Sequence, residues 1–263
     1  MKDKVLSPST KRVYKSLHNS MPDSFKNLKL DEIDQTVVQQ YINDYSEKHQ
    51  PKTVRNMHGF ISAVVGQYKE ITLKTTMPQK KKTEKYVPTV EEVKAVMEYI
   101  KPTKYYVPIS LAAMSLRRSE ICALTVEDLK GNELTINKAL VFNSDAEWEI
   151  KMDGKTTAST RTIVISDELA DRIRDQGYIY EGLPGQISKY LKRVLKKLGI
   201  QEFTLHSLRH FFSSYAHDLG YSDQAIQAAG GWETDYVMKR VYRHAMNQEE
   251  AQKNMAQDFG KLL

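Results

Sequence analysis

Between Met77 and Lys85 the chain loses all apolar periodicity, and this polar stretch constrains the fold more than any other feature. Met77-Pro78-Gln79 leads into Lys80-Lys81-Lys82-Thr83-Glu84-Lys85, a run with no face to bury. Such a run reads as an extended linker, its backbone held away from the helical region near Pro78. The 263 residues are 40% apolar and 27% charged, a folded composition, so each side of the linker is expected to form its own core. The expected boundaries are 1–77, a basic linker 78–85, and a second domain 86–263.

The first part reads as all-helical. Ser9 is a candidate cap for a helix through Tyr14 and Leu17. Val37, Val38, Tyr41, Ile42 and Tyr45 recur at helical spacing. Pro51 suits a first turn, and Val54, Ile61, Val64, Val65 and Tyr68 continue a second stripe. After the linker, Thr89 and Glu92 have capping-box spacing, with Val93, Val96, Met97 and Ile100 as the buried face. Helices are expected over 107–114 and from Arg118 to before Val126, then over 187–198, 205–219, 223–228 and 236–245. Short strands are expected over 134–142, 148–151 and 162–165, forming one small sheet with Asp153-Gly154-Lys155 at the turn between the last two. The expected class is mainly α with a small β-sheet (α+β).

Lys and Arg total 39 against 33 acidic residues, a formal charge of +6 whose placement matters more than its size. Lys2, Lys4, Lys11, Arg12, Lys15, Lys26 and Lys29 crowd the N-terminal stretch, with Asp3 and Asp23 as nearby acids. Cation clusters of this kind suit a polyanion, because neutralised phosphates release counterions. Lys52, Arg55, Asn56 and His58 share the polar side of the second stripe; the first three, with Lys80, Lys81 and Lys82, are candidate contacts to DNA. Cys122 is the only cysteine, which excludes an intrachain disulfide and a multi-cysteine zinc site. No run of eighteen apolar residues and no signal-peptide core is present, so a cytoplasmic protein with no membrane contact is expected.

Four separated segments carry polar groups suited to chemistry. Arg117 begins a helix in Leu116-Arg117-Arg118-Ser119-Glu120, with Glu120 one turn on. Lys155 lies in the turn that runs to Arg161. His206 and Arg209 stand three apart in His206-Ser207-Leu208-Arg209-His210. Gly231-Trp232 precedes Tyr242 in Val241-Tyr242-Arg243-His244. Taken singly, each has an ordinary explanation. Arg118 reads as a surface residue, Trp232 and Tyr242 as core, and Lys138 and Lys151 compete with Lys155. His206 and His210 have metal-ligand spacing on a helix but no third ligand nearby.

Together, in this order and spacing, the segments resemble the tyrosine-recombinase or phage-integrase family over nearly the whole chain. Ser115 stands where many members have Gly, Gly230-Gly231 where many have Leu-Gly, and Trp232 where His is commoner. The resemblance implies a helical core-binding domain joined to a catalytic domain. It implies Arg117, Lys155, His206, Arg209, Trp232 and Tyr242 as catalytic, with Glu120 and His210 in support. Two guanidiniums would oppose charge on the nonbridging phosphate oxygens, Tyr242 would attack phosphorus, and His206 and Lys155 would manage protons. No cofactor and no metal are expected. The partners implied are double-stranded DNA half-sites, a homotetramer on synapsed DNA, and accessory DNA-bending or excision factors. The stripe Ala251, Met255 and Phe259 is expected to dock on a neighbouring protomer. The alternatives are a type IB topoisomerase-like enzyme, or a non-catalytic DNA-binding regulator on the same fold.

Overall fold

A computed structural model describes residues 6–79, 86–143, 145–152 and 160–234. Two compact units emerge, Met1–Glu84 with Val141–Glu149, and Lys85–Leu140 with Ile150–Leu263.

The first unit is built from α1 (Pro8–Ser20), α2 (Asp23–Lys26), α3 (Gln35–Lys48) and α4 (Pro51–Tyr68). Ser7, rather than Ser9, caps α1, because Pro8 takes the first helical position and places the Ser7 oxygen on the Thr10 amide. Val38, Ile42, Val54, Met57 and Ile61 form the centre of its core, while Tyr68, expected on the stripe, is exposed. Beyond α4 the chain runs on without regular structure to residue 79, and it is pinned to the helices. Gln35 and Gln39 accept from the Lys74 and Thr76 amides, His58 bonds the Thr75 hydroxyl, and Arg55 donates to the Pro78 carbonyl. Arg55 and His58 are thus engaged with their own chain, while Lys52 and Asn56 are exposed. Residues 80–85, including Lys80, Lys81 and Lys82, lie outside the described residues.

The second unit begins with α5 (Val90–Ile100), where Thr89 and Glu92 form the expected reciprocal cap. It continues with α6 (Tyr106–Ala113) and α7 (Arg118–Ile121). The strands are β1 (Leu129–Lys130), β2 (Glu133–Ile136), β3 (Lys138–Phe142), β4 (Trp148–Met152) and β5 (Arg161–Val164). The helices α8 (Asp167–Gln176), α9 (Pro184–Leu198), α10 (Leu205–Asp218) and α11 (Asp223–Gly230) follow.

The strands depart from the single expected sheet. The stretch 134–142 breaks at Asn137 into β2 and β3; β3 pairs with β4, while β2 lies between β1 and β5 in an antiparallel sheet. β5 therefore pairs with β2, not β4, with Leu134 opposite Ile163 and Ile136 opposite Arg161. A long-range pairing of this kind leaves no local mark in the sequence. Helix α8 was not expected either. Its apolar face is only Leu169, Ala170 and Ile173 among many charges, and it rests on the Ser166 cap and Gly177 at its end.

The turn from α6 into α7 places Arg117. Leu116 donates its amide to the Leu111 carbonyl and Ser115 to that of Ala112, a Schellman ending whose C′ residue must be left-handed. Ser115 occupies that position at φ 76° with its side chain buried and its hydroxyl without a hydrogen-bond partner among the described residues. Glycine is the residue such a position favours, which is why Ser115 departs from the common family pattern at some cost in strain. Ser115→Gly is expected to stabilise the chain by about 1 kcal/mol, the left-handed penalty partly offset by added freedom of the unfolded chain. Urea unfolding of the two proteins checks this, with an unchanged or lower midpoint for the glycine variant as the contrary result.

Candidate active site

The site gathers at the C-terminal end of α11. A helix end leaves its last four carbonyls without intrahelical partners. Here the Gly231 and Trp232 amides close back onto the carbonyls of Ala228 and Gln227. The next three carbonyls go to three arginines: Ala229 accepts from Arg161 Nε at 3.0 Å, Gly230 from Arg209 Nη2 at 2.9 Å and Gly231 from Arg117 Nη2 at 3.1 Å. Cations suit the negative end of the helix dipole. The three arginines come from β5, from α10 and from the residue just before α7, so three distant segments converge on one turn.

Glu120 organises two of them. Its carboxylate is 1% exposed and accepts from the Arg117 amide at 2.7 Å and from Arg117 Nη1 at 2.6 Å. It also accepts from Arg161 Nη2 at 3.0 Å. Burial pushes the Glu120 carboxyl upward, but the Arg161 bond and charge, with the two bonds from Arg117, outweigh it and hold the group below its ordinary value of 4.5. Glu120, expected in a supporting role, is thus placed against Arg117 by two hydrogen bonds.

Arg209 is 2% exposed, and its hydrogen bond at the helix end goes to a backbone carbonyl rather than to a carboxylate. Its Nη1 is buried with no hydrogen-bond partner among the described residues, and its guanidinium carbon lies 4.9 Å from the Trp232 ring centre. Burial lowers its pKa most, followed by the charge of Arg117; Glu120 opposes and Arg161 adds to the lowering, leaving it at about 9. It remains charged at neutral pH. Three guanidiniums against the single Glu120 carboxylate leave an excess of positive charge whose natural complement is an anion.

The two glycines are set by this crowding. Gly231 has φ +62°, and a Cβ there would sit 2.8 Å from Arg161 Nη1. A Cβ on Gly230 would overlap Cζ3 and Cε3 of the Trp232 ring. The indole can fold back towards Arg209 only because residue 230 has no side chain, which accounts for the departure from the Leu-Gly pattern.

His206 opens the exposed side of α10, its ring centre 4.7 Å from that of the buried His210 in an edge-on arrangement. A cleft of about 270 Å³ lies beside them, lined by Tyr86, Glu202, Phe203, Thr204, His206, Ser207 and His210. Arg118 points elsewhere, donating to Ser188 on the exposed face. Lys138 is paired with Asp128 at 2.8 Å, which occupies one of the two rivals to Lys155. Lys155 and Tyr242 themselves, the expected helix 236–245 and the stripe Ala251, Met255 and Phe259 lie outside the described residues. No group of three His, Cys, Asp or Glu side chains is gathered among the described residues, and no helix among them is long and apolar enough to cross a membrane.

Sequence reasoning missed Arg161. Counting back in twos from Ile165 and Ile163 places it on the buried face of β5, a legible signal for an arginine that needs a partner.

Residues 183–249 match the model of the phage integrase family, and the integrase of Staphylococcus phage L54a is 24% identical across 94% of this chain and 85% of its own length. Over residues 183–249 the chain is thus similar to the phage integrase family. Its fold is shared with solved integrases. The Tn1549 transposon integrase, in complex with transposon right end DNA, superposes with a TM-score of 0.75 at 17% identity, covering 97% of this chain and 95% of that one. A lambda integrase tetramer bound to a Holliday junction superposes at 0.65 and 16% identity, covering 91% and 73%.

Gly230→Ala in a Trp148→Phe background expels the indole, so Trp232 emission shifts to longer wavelength and quenching by acrylamide rises; unchanged emission would contradict the packing. Glu120 has a folded pKa below its unfolded one, so its contribution is full above about 4.5 and is lost as pH falls through the folded value. Glu120→Gln is expected to lower stability at pH 7 by no more than the ~3–5 kcal/mol of a broken buried pair and to flatten the acid limb below pH ~4.5. Thermal melts across that range measure both effects.

Proposed function

We propose that this chain is a site-specific DNA recombinase that cleaves and rejoins strands through a covalent 3′-phosphotyrosine at Tyr242. The observation that carries the reading is the converged cluster of Arg117, Arg161 and Arg209, charged in excess over Glu120 and with one guanidinium nitrogen of Arg209 unbonded among the described residues. A scissile phosphate bears a full negative charge and gains more on its nonbridging oxygens during attack. Forked donors already fixed in place meet that charge without reorganising.

In this mechanism the Tyr242 oxygen forms the new bond to phosphorus as the bond to the 5′-oxygen breaks. His206 accepts or relays the phenol proton, and Lys155 gives a proton to the departing 5′-oxygen. Arg117 and Arg209 hold the nonbridging oxygens, and Trp232 supports Arg209 from the ring side. Attack of a 5′-hydroxyl from a second duplex reverses the bonding and transfers the strand. The phosphodiester energy is kept in the protein–DNA bond, so the cycle needs neither a nucleotide cofactor nor a metal.

The 1–77 helical domain serves as the core-binding half and 86–263 as the catalytic half, joined by the basic linker 78–85. Lys52, Asn56, Lys80, Lys81 and Lys82 contact the DNA backbone, and Arg55 does so only if it leaves the Pro78 carbonyl. Helix α9 adds Lys189, Lys192, Arg193, Lys196 and Lys197 with no acidic residue of its own, although Lys192 already pairs with Glu202. Four protomers act on two synapsed sites through a Holliday junction, with accessory DNA-bending or excision factors, in the cytoplasm. The Ala251, Met255 and Phe259 stripe docks on the neighbour.

A nicked duplex selected from a randomised pool by covalent capture with the wild-type chain provides the test. Tyr242→Phe is expected to abolish capture while binding the same duplex, and surviving capture would overturn the nucleophile. Arg209→Ala is expected to lower the saturating capture rate by about 10²–10³, the range for losing one preorganised donor to a developing oxyanion. A loss confined to DNA affinity would place Arg209 outside the chemistry.

A further inference from the structure

We propose that Arg161 is a positioning residue for strand cleavage, fixing Arg117 and the Trp232 turn relative to each other without touching DNA; this rests on the recombinase reading above. Arg161 opens β5 opposite Ile136, and strand alternation turns it onto the buried face with Ile163. A guanidinium desolvated there persists only if its bonds are well made. Each of its nitrogens is committed. Nε donates to the Ala229 carbonyl at 3.0 Å, Nη2 to Glu120 Oε2 at 3.0 Å and Nη1 to Glu120 Oε1 at 3.4 Å.

Arg117 bonds the same carboxylate and the same helix end, through Glu120 and the Gly231 carbonyl. The difference is accessibility. The Arg117 side chain is 43% exposed, whereas that of Arg161 is 6% exposed. Arg209 is as buried as Arg161, but its Nη1 has no hydrogen-bond partner among the described residues, so Arg117 and Arg209 keep a donor for a phosphate while Arg161, with all three nitrogens committed, does not. Arg161 also packs against the backbone of Gly231, where even a Cβ would crowd its Nη1, Cδ and Cζ. It thereby sets how close the Gly230-Gly231-Trp232 turn approaches α7.

Loss of Arg161 has three consequences in this arrangement. Glu120 is left to Arg117 alone and draws its guanidinium inward, the Ala229 carbonyl loses its donor, and the turn bearing Trp232 gains room to shift. All three displace groups that hold the phosphate, and none removes a group that binds DNA. The chemical step suffers and affinity does not. A single ammonium at this position restores the charge but cannot bridge Glu120 and the Ala229 carbonyl as a planar fork does.

The test uses the full chain and the captured nicked duplex described above, in single turnover over a range of DNA concentrations. Arg161→Met is expected to lower the saturating capture rate about 100-fold, the order of loss from a misplacement near 1 Å, with the half-saturating DNA concentration within about threefold of wild type. Arg161→Lys is expected to stay at least about tenfold slow at saturation although its charge is kept. Three results overturn the proposal: a saturating rate for the methionine variant within about threefold of wild type, a half-saturating concentration raised about tenfold or more, or full rescue by lysine. Should the methionine variant fail to fold by circular dichroism, the lysine variant decides by the same rate criterion. A wild-type chain that captures no duplex from the pool would instead sink the recombinase reading, so the two failures are separable.

Discussion

The second unit depends on one buried carboxylate shared by two arginines. Glu120 is almost wholly enclosed and bonds both the half-exposed Arg117 and the buried Arg161, while itself remaining ionised. Removing one member of a buried pair typically costs about 3–5 kcal/mol, because the survivor is left charged and unsolvated. Here the arrangement also joins elements far apart in the chain. The Glu120–Arg161 pair ties α7 to β5, and the two arginines reach the end of α11. The stability of the fold and the placement of its charged groups are consequently one problem, solved by the same few hydrogen bonds.

What was legible in the sequence follows from how local each signal is. Helices with strong apolar stripes and side-chain caps, such as those opening at Thr89 and Thr204, are written within a few residues, and they stand close to where periodicity places them. The pairing of β5 with β2 depends on contacts across some thirty residues of chain and has no such local mark, which is why one sheet was expected and two are found. The candidate catalytic groups were named by motif order, since nothing about Arg117 or Arg209 taken alone distinguishes it from an ordinary arginine. The convergence of Arg161, Arg209 and Arg117 on the carbonyls of Ala229, Gly230 and Gly231 belongs to the tertiary structure alone.

The departures from the common family pattern are as informative as the matches. Ser115 occupies a left-handed turn that suits glycine, a local strain carried just before the residue that must present Arg117. Gly230 stands where many members have a larger side chain, and its missing Cβ is the space the Trp232 ring uses. The pair Gly230 and Trp232 is therefore best understood as one compensated unit. An aromatic ring larger than imidazole is admitted because the residue two before it gives way.

Holding Arg209 by a carbonyl and an aromatic face, rather than by a carboxylate, has an electrostatic consequence. A carboxylate fixes a guanidinium but also neutralises it, as Glu120 does in part for Arg117. A backbone carbonyl fixes the geometry with a dipole and leaves the charge almost undiminished for an incoming anion. The cost is visible in the lowered proton affinity of Arg209, pressed by burial and by Arg117. In the proposed reaction a phosphate would relieve the like-charge repulsion among the three arginines as it takes up their donors, so the same convergence that lowers the proton affinity of Arg209 would favour binding of an anion.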